Sequence, residues 1–409
     1  MLVAIPAFAF WAAVTWASSV LGALAFVTVW FALMLWALPA SLRLRNAALL
    51  LFTVALGTLA AELLLLTDLM NRFVEERDLA EFRRGLVETQ DPLFVPDPTL
   101  GFRQLPERRA RATSVKNGQT IYDVVYTTDA HGFRALLPGA PSAGATKAGA
   151  TRTGGTPAGD TPVLILGDSF AFGAGLPDDR TLAWYLRELS GGKLQPVTLA
   201  VKGYGLNQVL RQLELGEPRK SGHQVFPWAV LSVVDDHVLR VAGRAQWLRD
   251  SPRYVVEPDD RLVARGTWAN PSGFVGSLIV GSRLFALAWK ALEVDEAGER
   301  RLFVRILREI EAKLAADYGA RLVVLYYSGE TWRGDLAGWR DKMVPVLCKA
   351  NVAVLDVNAL LADPSQPIDR FYMRDDGHPT ALLNQTIAGA LVEDFRHGRV
   401  ERGGLGCAR

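Results

Sequence analysis

The sequence predicts an α/β domain, in which helices cover both faces of a parallel sheet, behind an apolar membrane region and a small β-rich segment. From residue 162 onward, short apolar runs alternate with amphipathic ones, and this alternation is typical of a parallel sheet covered by helices. The first 40 residues, in contrast, contain no ionisable side chain. Much of the apolar excess of this chain, 50% of 409 residues, therefore lies at its N-terminus, where membrane spans explain it.

The N-terminal apolar region is too long for one membrane helix. A helix rises about 1.5 Å per residue, so about 40 apolar residues would reach about 60 Å, twice the thickness of the hydrocarbon core. We therefore expect residues 1–40 to form two spans that turn near Ser18-Ser19, and a third span to run from Ala47 to about Asp68. Region 1–70 is thus predicted to hold three transmembrane helices. A cleavable signal peptide fits less well, because no basic segment leads the apolar stretch.

Two arginines set the predicted orientation. Arg43 and Arg45 are the only basic residues among the first 70, and the positive-inside rule places their loop in the cytoplasm. The last span then leaves the cytoplasm, whether one span or two precede it. We expect a multi-pass protein of the cytoplasmic (inner) membrane, with the lipid bilayer as a partner and an extracytoplasmic, or periplasmic, domain downstream.

Composition divides the rest of the chain. Residues 71–91 are charged and predicted as a helical stalk. Runs of β-branched and aromatic residues predict a small β-rich appendage at 92–137. Gly, Ala, Thr, Ser and Pro dominate 138–161, which is too poor in large apolar groups to pack and is predicted as a flexible insertion. The α/β domain is placed at 162–398, followed by a C-terminal tail at 399–409.

Hydrophobic patterns predict the strands and helices of the α/β domain. Strands are placed at 163–166, 197–201, 228–234, 322–327 and 352–357, and helices near 179–189, 205–215, 298–318 and 380–395. The span from about 240 to 295 breaks the alternation. We expect loops, a hairpin and a helix there, beside the sheet edge that binds substrate, where they would shape access.

A serine follows the first predicted strand of the sheet. The apolar run 163–166 ends at Gly167-Asp168-Ser169, and ligands of open α/β sheets bind at the carboxyl edge of the strands. Glycines in and after this tripeptide allow tight turns that leave backbone N–H groups free to face an anion. The stretch resembles the first block of the SGNH, or GDSL, hydrolases. That resemblance implies a flavodoxin-like three-layer sandwich with Ser169 as the nucleophile.

A second glycine-rich stretch follows the second predicted strand. Gly203-Tyr204-Gly205, followed by Asn207-Gln208, is similar to the second block of the family. The resemblance implies that the Gly203 amide donates to an oxyanion beside the Ser169 amide. Taken alone, Gly203 is better explained as a simple turn between a strand and a helix.

The third block departs from the family pattern. Family members carry Gly-x-Asn-Asp after the third strand, with the asparagine amide as a further oxyanion donor, whereas Asp235-Asp236-His237 stands here. Asp235 takes the asparagine position, and an ionised carboxylate cannot donate a hydrogen bond. The conflict is relieved if Asp235 turns away, if Asp235 stays protonated, or if His237 supplies the donor. His237 is equally consistent with a surface residue paired with a neighbouring aspartate.

The last block lies in residues 371–380, which follow the last predicted strand and open a helix. Asp375 and His378 give the Asp-x-x-His spacing of the family. The resemblance implies that His378 activates Ser169, and that Asp375 fixes the tautomer of His378 and stabilises its imidazolium. Asp376 is the alternative orienting acid.

The β-rich segment adds a softer match. Two of its phrases, residues 96–102 and 127–134, are similar to the lead-in that precedes the Gly-Asp-Ser block in membrane-anchored bacterial relatives. The β-rich runs themselves lead us to expect a small appendage packed on the main domain.

Charge and cysteine content exclude several classes of protein. The formal net charge is +2, and basic residues are interspersed with acidic ones, which gives no support to a nucleic-acid partner. The sequence has two cysteines, Cys348 and Cys407. They exclude a disulfide framework or a zinc ribbon, but they allow one bridge that ties down the C-terminal tail in an oxidising compartment.

The residues and the resemblance together predict a membrane-anchored serine esterase. Ser169 attacks an ester carbonyl, His378 transfers the proton, and the amides of Ser169 and Gly203 stabilise the oxyanion. No metal or organic cofactor is implied. Because the domain is predicted to face the cell envelope, we expect the substrate to be an acyl ester of a glycan or lipid, with acetyl as the first candidate.

Two alternatives remain open. An O-acyltransferase of envelope glycans would use the same residues, but a glycan hydroxyl would resolve the acyl-enzyme and a membrane partner would supply the acyl donor. A non-catalytic envelope assembly or binding protein on a degenerate SGNH fold would account for Asp235.

Overall fold

A computed structural model describes much of the chain, which divides into two compact units. The first unit comprises Met1–Glu81 and Gly266–Asp295, and the second comprises Phe82–Arg265 and Glu296–Arg409. The predicted first span before residue 20, the stalk, residues 138–159 of the predicted flexible insertion and the C-terminal tail lie outside the described residues. The insertion was predicted to end at residue 161, but Thr161 already begins a strand. The described residues are 20–37, 42–65, 92–116, 118–136, 160–268, 284, 296–329, 338–361 and 366–398.

The first unit contains two apolar helices, α1 (Val20–Ala37) and α2 (Leu42–Leu65). Over the part of the chain that the structure describes, one helical segment, Arg45–Leu64, is long and apolar enough to cross a membrane, with a mean hydropathy of 2.1. Arg43 and Arg45 lie in the first two turns of α2 rather than in a loop before it. Arginine favours helices and carries a long side chain that reaches a membrane surface from within a helix, so the helix extends through these positions.

The helices and strands of the remaining described chain alternate as the sequence predicts. The strands are β1 (Phe94–Asp97), β2 (Gly101–Gln104), β3 (Arg109–Lys116), β4 (Gln119–Thr127), β5 (Thr161–Leu166), β6 (Leu194–Thr198), β7 (Trp228–Val234), β8 (Pro252–Val256), β9 (Leu262–Thr267), β10 (Arg321–Tyr327) and β11 (Val354–Asp356). The helices are α3 (Ser169–Phe172), α4 (Leu182–Leu189), α5 (Leu206–Glu214), α6 (His237–Val241), α7 (Glu296–Tyr318), α8 (Trp339–Ala350) and α9 (Ala381–His397).

The second unit is built on a five-stranded sheet whose strands lie in the order β11-β10-β7-β5-β6. All neighbouring strands of this sheet are parallel. In order of appearance along the chain, the strand order is 2-1-3-4-5, which is the flavodoxin-like order. The prediction of a parallel sheet is therefore confirmed.

Alternate side chains of β5 enter two separate apolar layers. Leu164 and Leu166 pack in the layer that contains α5, α7 and α8, whereas Val163 and Ile165 pack in the layer that contains α4 and α9. All residues of β7 are buried, as expected for a central strand covered on both faces. Helices therefore cover both faces of the sheet, as predicted.

Helix α8 was missing from the sequence prediction. Proline disfavours a helix interior because it lacks an N–H donor, and α8 contains Pro345. The buried side chains of Met343, Val346 and Leu347 join the apolar layer on their face of the sheet. Packing of this apolar face thus outweighs the local cost of the proline.

The β-rich appendage, which we call the lead-in and which the structure describes over residues 92–116 and 118–136, forms two antiparallel pairs of strands. Strand β1 pairs with β2, and β3 pairs with β4. A bridge joins Arg134 to Thr198 at the end of edge strand β6, so the lead-in continues one edge of the main sheet. The irregular span 240–295 contains a further two-stranded pair, β8 with β9, where the sequence predicts a hairpin. Residues 266–295 of that span belong to the first unit.

Candidate active site

Ser169 occupies the first position of α3, directly after β5 and a tight turn. The turn requires glycine at 167, where φ is +125°, because a Cβ there would lie 2.1 Å from the Ser232 Oγ. The Asp168 side chain caps α3 by accepting a hydrogen bond from the Phe170 N–H at 3.0 Å. This local geometry presents Ser169 at the carboxyl edge of the sheet, where ligands of such folds bind.

His378 connects Ser169 to a carboxylate. Its Nε2 lies 2.8 Å from the Ser169 Oγ, and its Nδ1 lies 2.5 Å from Asp376 Oδ1. Burial acts to raise the pKa of Asp376, but His378 and, more weakly, Lys202 outweigh it, so the pKa lies below its usual value. An ionised Asp376 requires the proton on Nδ1 of a neutral imidazole. Nε2 is then free to accept the proton of the serine hydroxyl.

Asp375, the acid predicted from the family spacing, does not take this place. Its side chain is exposed, its φ is +64°, and its carbonyl accepts a hydrogen bond from Lys116 Nζ at 2.8 Å. The chain reverses tightly here, because the Met373 N–H donates to the His378 carbonyl and the Gly377 N–H donates to the Met373 carbonyl. The reversal turns Asp376, two residues before the histidine, toward the imidazole. The structure therefore corrects the orienting acid to Asp376, the alternative that the sequence offered.

The backbone N–H groups of Ser169 and Gly203 are both available. Neither donates a hydrogen bond to another of the residues that the structure describes. The Val201 N–H donates to the Gly167 carbonyl at 3.1 Å, which holds the segment before Gly203 against the serine turn. Gly203 has a φ of +81°, and its carbonyl accepts a hydrogen bond from Trp247 Nε1 at 3.0 Å. Two unpaired N–H groups next to a nucleophile are suited to stabilise an oxyanion.

Asp235 faces hydrogen-bond donors of the protein. Oδ1 accepts from the Tyr326 hydroxyl at 2.7 Å, and Oδ2 accepts from the Gly329 N–H at 2.7 Å. Both oxygens of this buried side chain act as acceptors, which suits an ionised carboxylate. Asp235 is therefore not the oxyanion donor that the sequence left open. The sequence offered three explanations for a carboxylate at the position of an oxyanion donor. The structure favours the explanation in which the Asp235 side chain turns away from the oxyanion.

His237 is not an oxyanion donor either. Its Nδ1 accepts from the Val234 N–H at 3.2 Å, which places the ring proton on Nε2, 3.2 Å from the Tyr204 carbonyl. Burial lowers the pKa of His237 to about 4, so the imidazole is neutral at pH 7. The side chain is fully buried, so the surface-residue interpretation is also corrected. Both ring nitrogens are used inside the protein.

A buried ionic cluster under the serine turn was not predicted from the sequence. Asp168 Oδ2 lies 3.1 Å from Arg240 Nη1, and Asp168 Oδ1 accepts a hydrogen bond from the Ser232 Oγ at 2.9 Å. Burial acts to raise the pKa of Asp168, but His237, Arg240 and these hydrogen bonds hold it below its usual value. The one available signal was the spacing of Arg240, which lies on the same face of a helix as His237, three residues earlier.

The β1–β2 lead-in supports the Gly203 loop. The Gln208 side chain donates to the Leu100 carbonyl at 2.7 Å, and the Tyr204 hydroxyl donates to the Phe102 carbonyl at 2.5 Å. Leu100 and Phe102 belong to the first of the two lead-in phrases that resemble the family. These contacts give that phrase a physical role beside the site.

Arg134, the last residue of the second lead-in phrase, supports the serine turn. Its guanidinium stacks between the rings of Tyr126 and Phe172 and pairs with Asp178 at 2.8 Å. It also donates to the carbonyl groups of residues 172, 173 and 176, in the loop after Ser169. A buried arginine thus fixes the chain directly after Ser169.

No group of three or more His, Cys, Asp or Glu side chains that could hold a metal ion occurs among the described residues. The sequence expectation of a reaction without a metal or organic cofactor stays a prediction.

Comparison with known proteins gives structural neighbours only. No family model matches the chain, and no curated protein sequence matches it. Several of these neighbours are named as G-D-S-L or SGNH hydrolases, and another is named as an alpha/beta hydrolase. A lipolytic G-D-S-L family protein from Veillonella parvula is 11% identical, with 58% of this chain and 98% of that chain covered and a TM-score of 0.34. An acetylxylan esterase, Axe2 from Geobacillus stearothermophilus, is 12% identical, with 57% and 93% covered and a TM-score of 0.33. TesA is 12% identical, with 57% and 97% covered and a TM-score of 0.32. At these TM-scores the likeness carries no argument about function, which must come from the residues of the site.

Proposed function

We propose that the protein is a membrane-anchored serine ester hydrolase of the SGNH type. The observation that carries this proposal is the continuous chain of hydrogen bonds from Ser169 through His378 to Asp376. This arrangement joins a nucleophile, a general base and an orienting acid, which is the requirement for nucleophilic acyl transfer.

The proposed reaction begins with attack of the Ser169 Oγ on the ester carbonyl. His378 Nε2 takes the hydroxyl proton, while Asp376 stabilises the imidazolium that forms. The tetrahedral oxyanion accepts hydrogen bonds from the N–H groups of Ser169 and Gly203. His378 then returns the proton to the leaving alcohol, and an acyl group stays on Ser169. A water molecule, activated by the same imidazole, attacks the acyl-enzyme and releases the acid.

The oxyanion hole in this proposal has two backbone donors. Asp235 replaces the third, side-chain donor of the family pattern, and its oxygens are already occupied by Tyr326 and Gly329. Loss of one donor from an oxyanion hole typically slows the reaction by about 10²–10³-fold. We therefore expect a slow esterase rather than an inactive one.

Two features support an extracytoplasmic site in this proposal. The segment Arg45–Leu64 has the length and composition of a membrane span. Cys348, on α8, is disulfide-bonded. Disulfides persist mainly in oxidising compartments outside the cytoplasm. We propose that the domain faces the cell envelope and removes a small acyl group, such as acetyl, from a glycan or lipid there.

Hydrolysis of p-nitrophenyl acetate by the full chain in detergent tests the proposal, with Ser169→Ala as the comparison. The proposal predicts turnover by the wild type and background rates for the variant, with equal thermal stability of the two proteins. Equal rates for the two proteins would refute it. Transfer of acetyl to an added sugar that outruns hydrolysis would instead identify an acyltransferase.

A further inference from the structure

We propose that Arg240 is a positioning residue for this reaction, which fastens the loop carrying the Gly203 N–H to the turn carrying Ser169. This inference rests on the proposed function. It assigns to Arg240 the task of holding the oxyanion hole in shape, although the side chain itself donates nothing to the substrate.

One nitrogen of the guanidinium joins the two loops. Arg240 Nη1 lies 3.1 Å from Asp168 Oδ2 and donates to the Tyr204 carbonyl at 2.8 Å. Asp168 precedes the nucleophile and caps the helix that Ser169 begins. Tyr204 directly follows Gly203. The guanidinium therefore spans from the residue before the serine to the residue after the glycine donor.

Further hydrogen bonds fix the same loop from the same side. The Gly203 carbonyl accepts from Trp247 Nε1 at 3.0 Å, and the Tyr204 carbonyl is shared by Arg240 and the Nε2 of His237. When the carbonyl groups of two consecutive residues are held, the peptide planes around them cannot rotate freely. The Gly203 N–H belongs to the peptide plane directly before these two, so the donors on the buried side of the loop hold the chain immediately after this N–H.

The altered third block makes the proposed oxyanion hole more dependent on the position of the Gly203 loop. With Asp235 occupied by Tyr326 and Gly329, the proposed hole depends on two backbone N–H groups. A misplacement of a positioned group by about 1 Å can lower a rate about 10²-fold. Arg240 is buried, with 8% of its surface exposed, and its charge is opposed by the carboxylate of Asp168. The guanidinium thus forms a buried link between the serine turn and the Gly203 loop.

Steady-state kinetics of the full chain with p-nitrophenyl acetate test the inference. Arg240→Ala should lower kcat by about 100-fold while KM stays near the wild-type value, because the donor geometry acts on the transition state. Added guanidinium ion should restore part of kcat by filling the vacated space. Arg244→Ala is the matched control, since Arg244 pairs with Glu299 and its side chain has no hydrogen bond to the described residues of either loop. Its kcat should stay near that of the wild type and should not respond to guanidinium.

Each result decides for or against the inference. A kcat for Arg240→Ala equal to that of Arg244→Ala, or a loss that guanidinium leaves unchanged, overturns it. If Arg240→Ala does not fold, Arg240→Lys decides, because it keeps the charge opposite Asp168 but not the planar guanidinium that reaches both loops. A kcat about tenfold below wild type then supports the inference, and an unchanged kcat overturns it. A wild type that hydrolyses no ester refutes the proposed function itself, whereas an active wild type with an unaffected Arg240→Ala refutes the positioning role alone.

Discussion

The pair of substitutions Asp376→Asn and Asp375→Asn separates the two candidate orienting acids. Asp376 Oδ1 lies 2.5 Å from His378 Nδ1, and an amide at this place no longer favours the proton on Nδ1. Such a substitution in a serine triad costs about 10⁴-fold in kcat through the wrong tautomer. Because Asp376 is partly accessible to water, at 14% side-chain exposure, we expect a loss of about 10³–10⁴-fold.

Asp375→Asn is a closely matched control. Asp375 has a φ of +64°, and asparagine tolerates this left-handed conformation as well as aspartate does. Its contact with Lys116 uses the backbone carbonyl, so the contact survives the substitution. We expect kcat for Asp375→Asn to stay within about twofold of the wild-type value, since a surface change of this kind alters little. The assay is p-nitrophenyl acetate hydrolysis at pH 7 by the full chain, with thermal melts to confirm folding. A loss in Asp375→Asn equal to or greater than that in Asp376→Asn would refute the reasoning.

Three further substitutions test other parts of the account. Asp235→Asn should not raise the esterase rate, because the side chain faces two protein donors. The substitution should lower the free energy of unfolding by about 1–3 kcal/mol. A variant that hydrolyses esters faster than the wild type would contradict this geometry. The folded-state pKa of His237, about 4, lies below its ordinary 6.5, so the unfolded state takes up a proton first as pH falls. Between pH 6.5 and pH 4, this histidine should lower the free energy of unfolding of the wild type by about 3 kcal/mol. Urea titrations of His237→Gln should show a smaller decrease over the same pH range. An equal decrease in the two proteins would count against a buried neutral imidazole. Arg134→Met leaves the buried carboxylate of Asp178 without its arginine and should lower the free energy of unfolding by about 3–5 kcal/mol. The double variant Arg134→Met, Asp178→Leu should recover part of this loss. A melting temperature for Arg134→Met equal to that of the wild type would show that the pair does not stabilise the fold.

Much of the fold could be predicted from the sequence because its strands are short, apolar and buried on both faces. Strand β7 was predicted with both of its boundaries at Trp228 and Val234. Its side chains reach both apolar layers, so a continuous apolar run is the expected pattern. Strand β6 ends at Thr198, three residues before the predicted Val201. Beyond Thr198, the N–H groups of Leu199 and Val201 still donate to carbonyl groups at the end of β5 and in the turn after it, but outside the regular strand. Helix α8 was missed because local proline chemistry points against a helix that tertiary packing stabilises.

The candidate site was only partly predictable. Motif spacing selected Ser169 and His378, and the structure brings them into contact. The same spacing selected Asp375, but the side that each aspartate faces depends on a tight turn with a left-handed residue, which spacing does not encode. Arg134 and Arg240 act through contacts between distant segments. The stretch that ends at Arg134 and the spacing of Arg240 from His237 are visible in the sequence, but the partners of the two arginines emerge only from the fold.

Covalent labelling of Ser169 tests the central claim most directly. The full chain would be treated with a fluorophosphonate, which phosphonylates activated serines, and the modified peptide would be located by mass spectrometry. The account predicts a single adduct on Ser169, formed much more slowly in Asp376→Asn and absent from Ser169→Ala. Folded wild-type protein without an adduct at Ser169, or with ester hydrolysis that persists in Ser169→Ala, would contradict it.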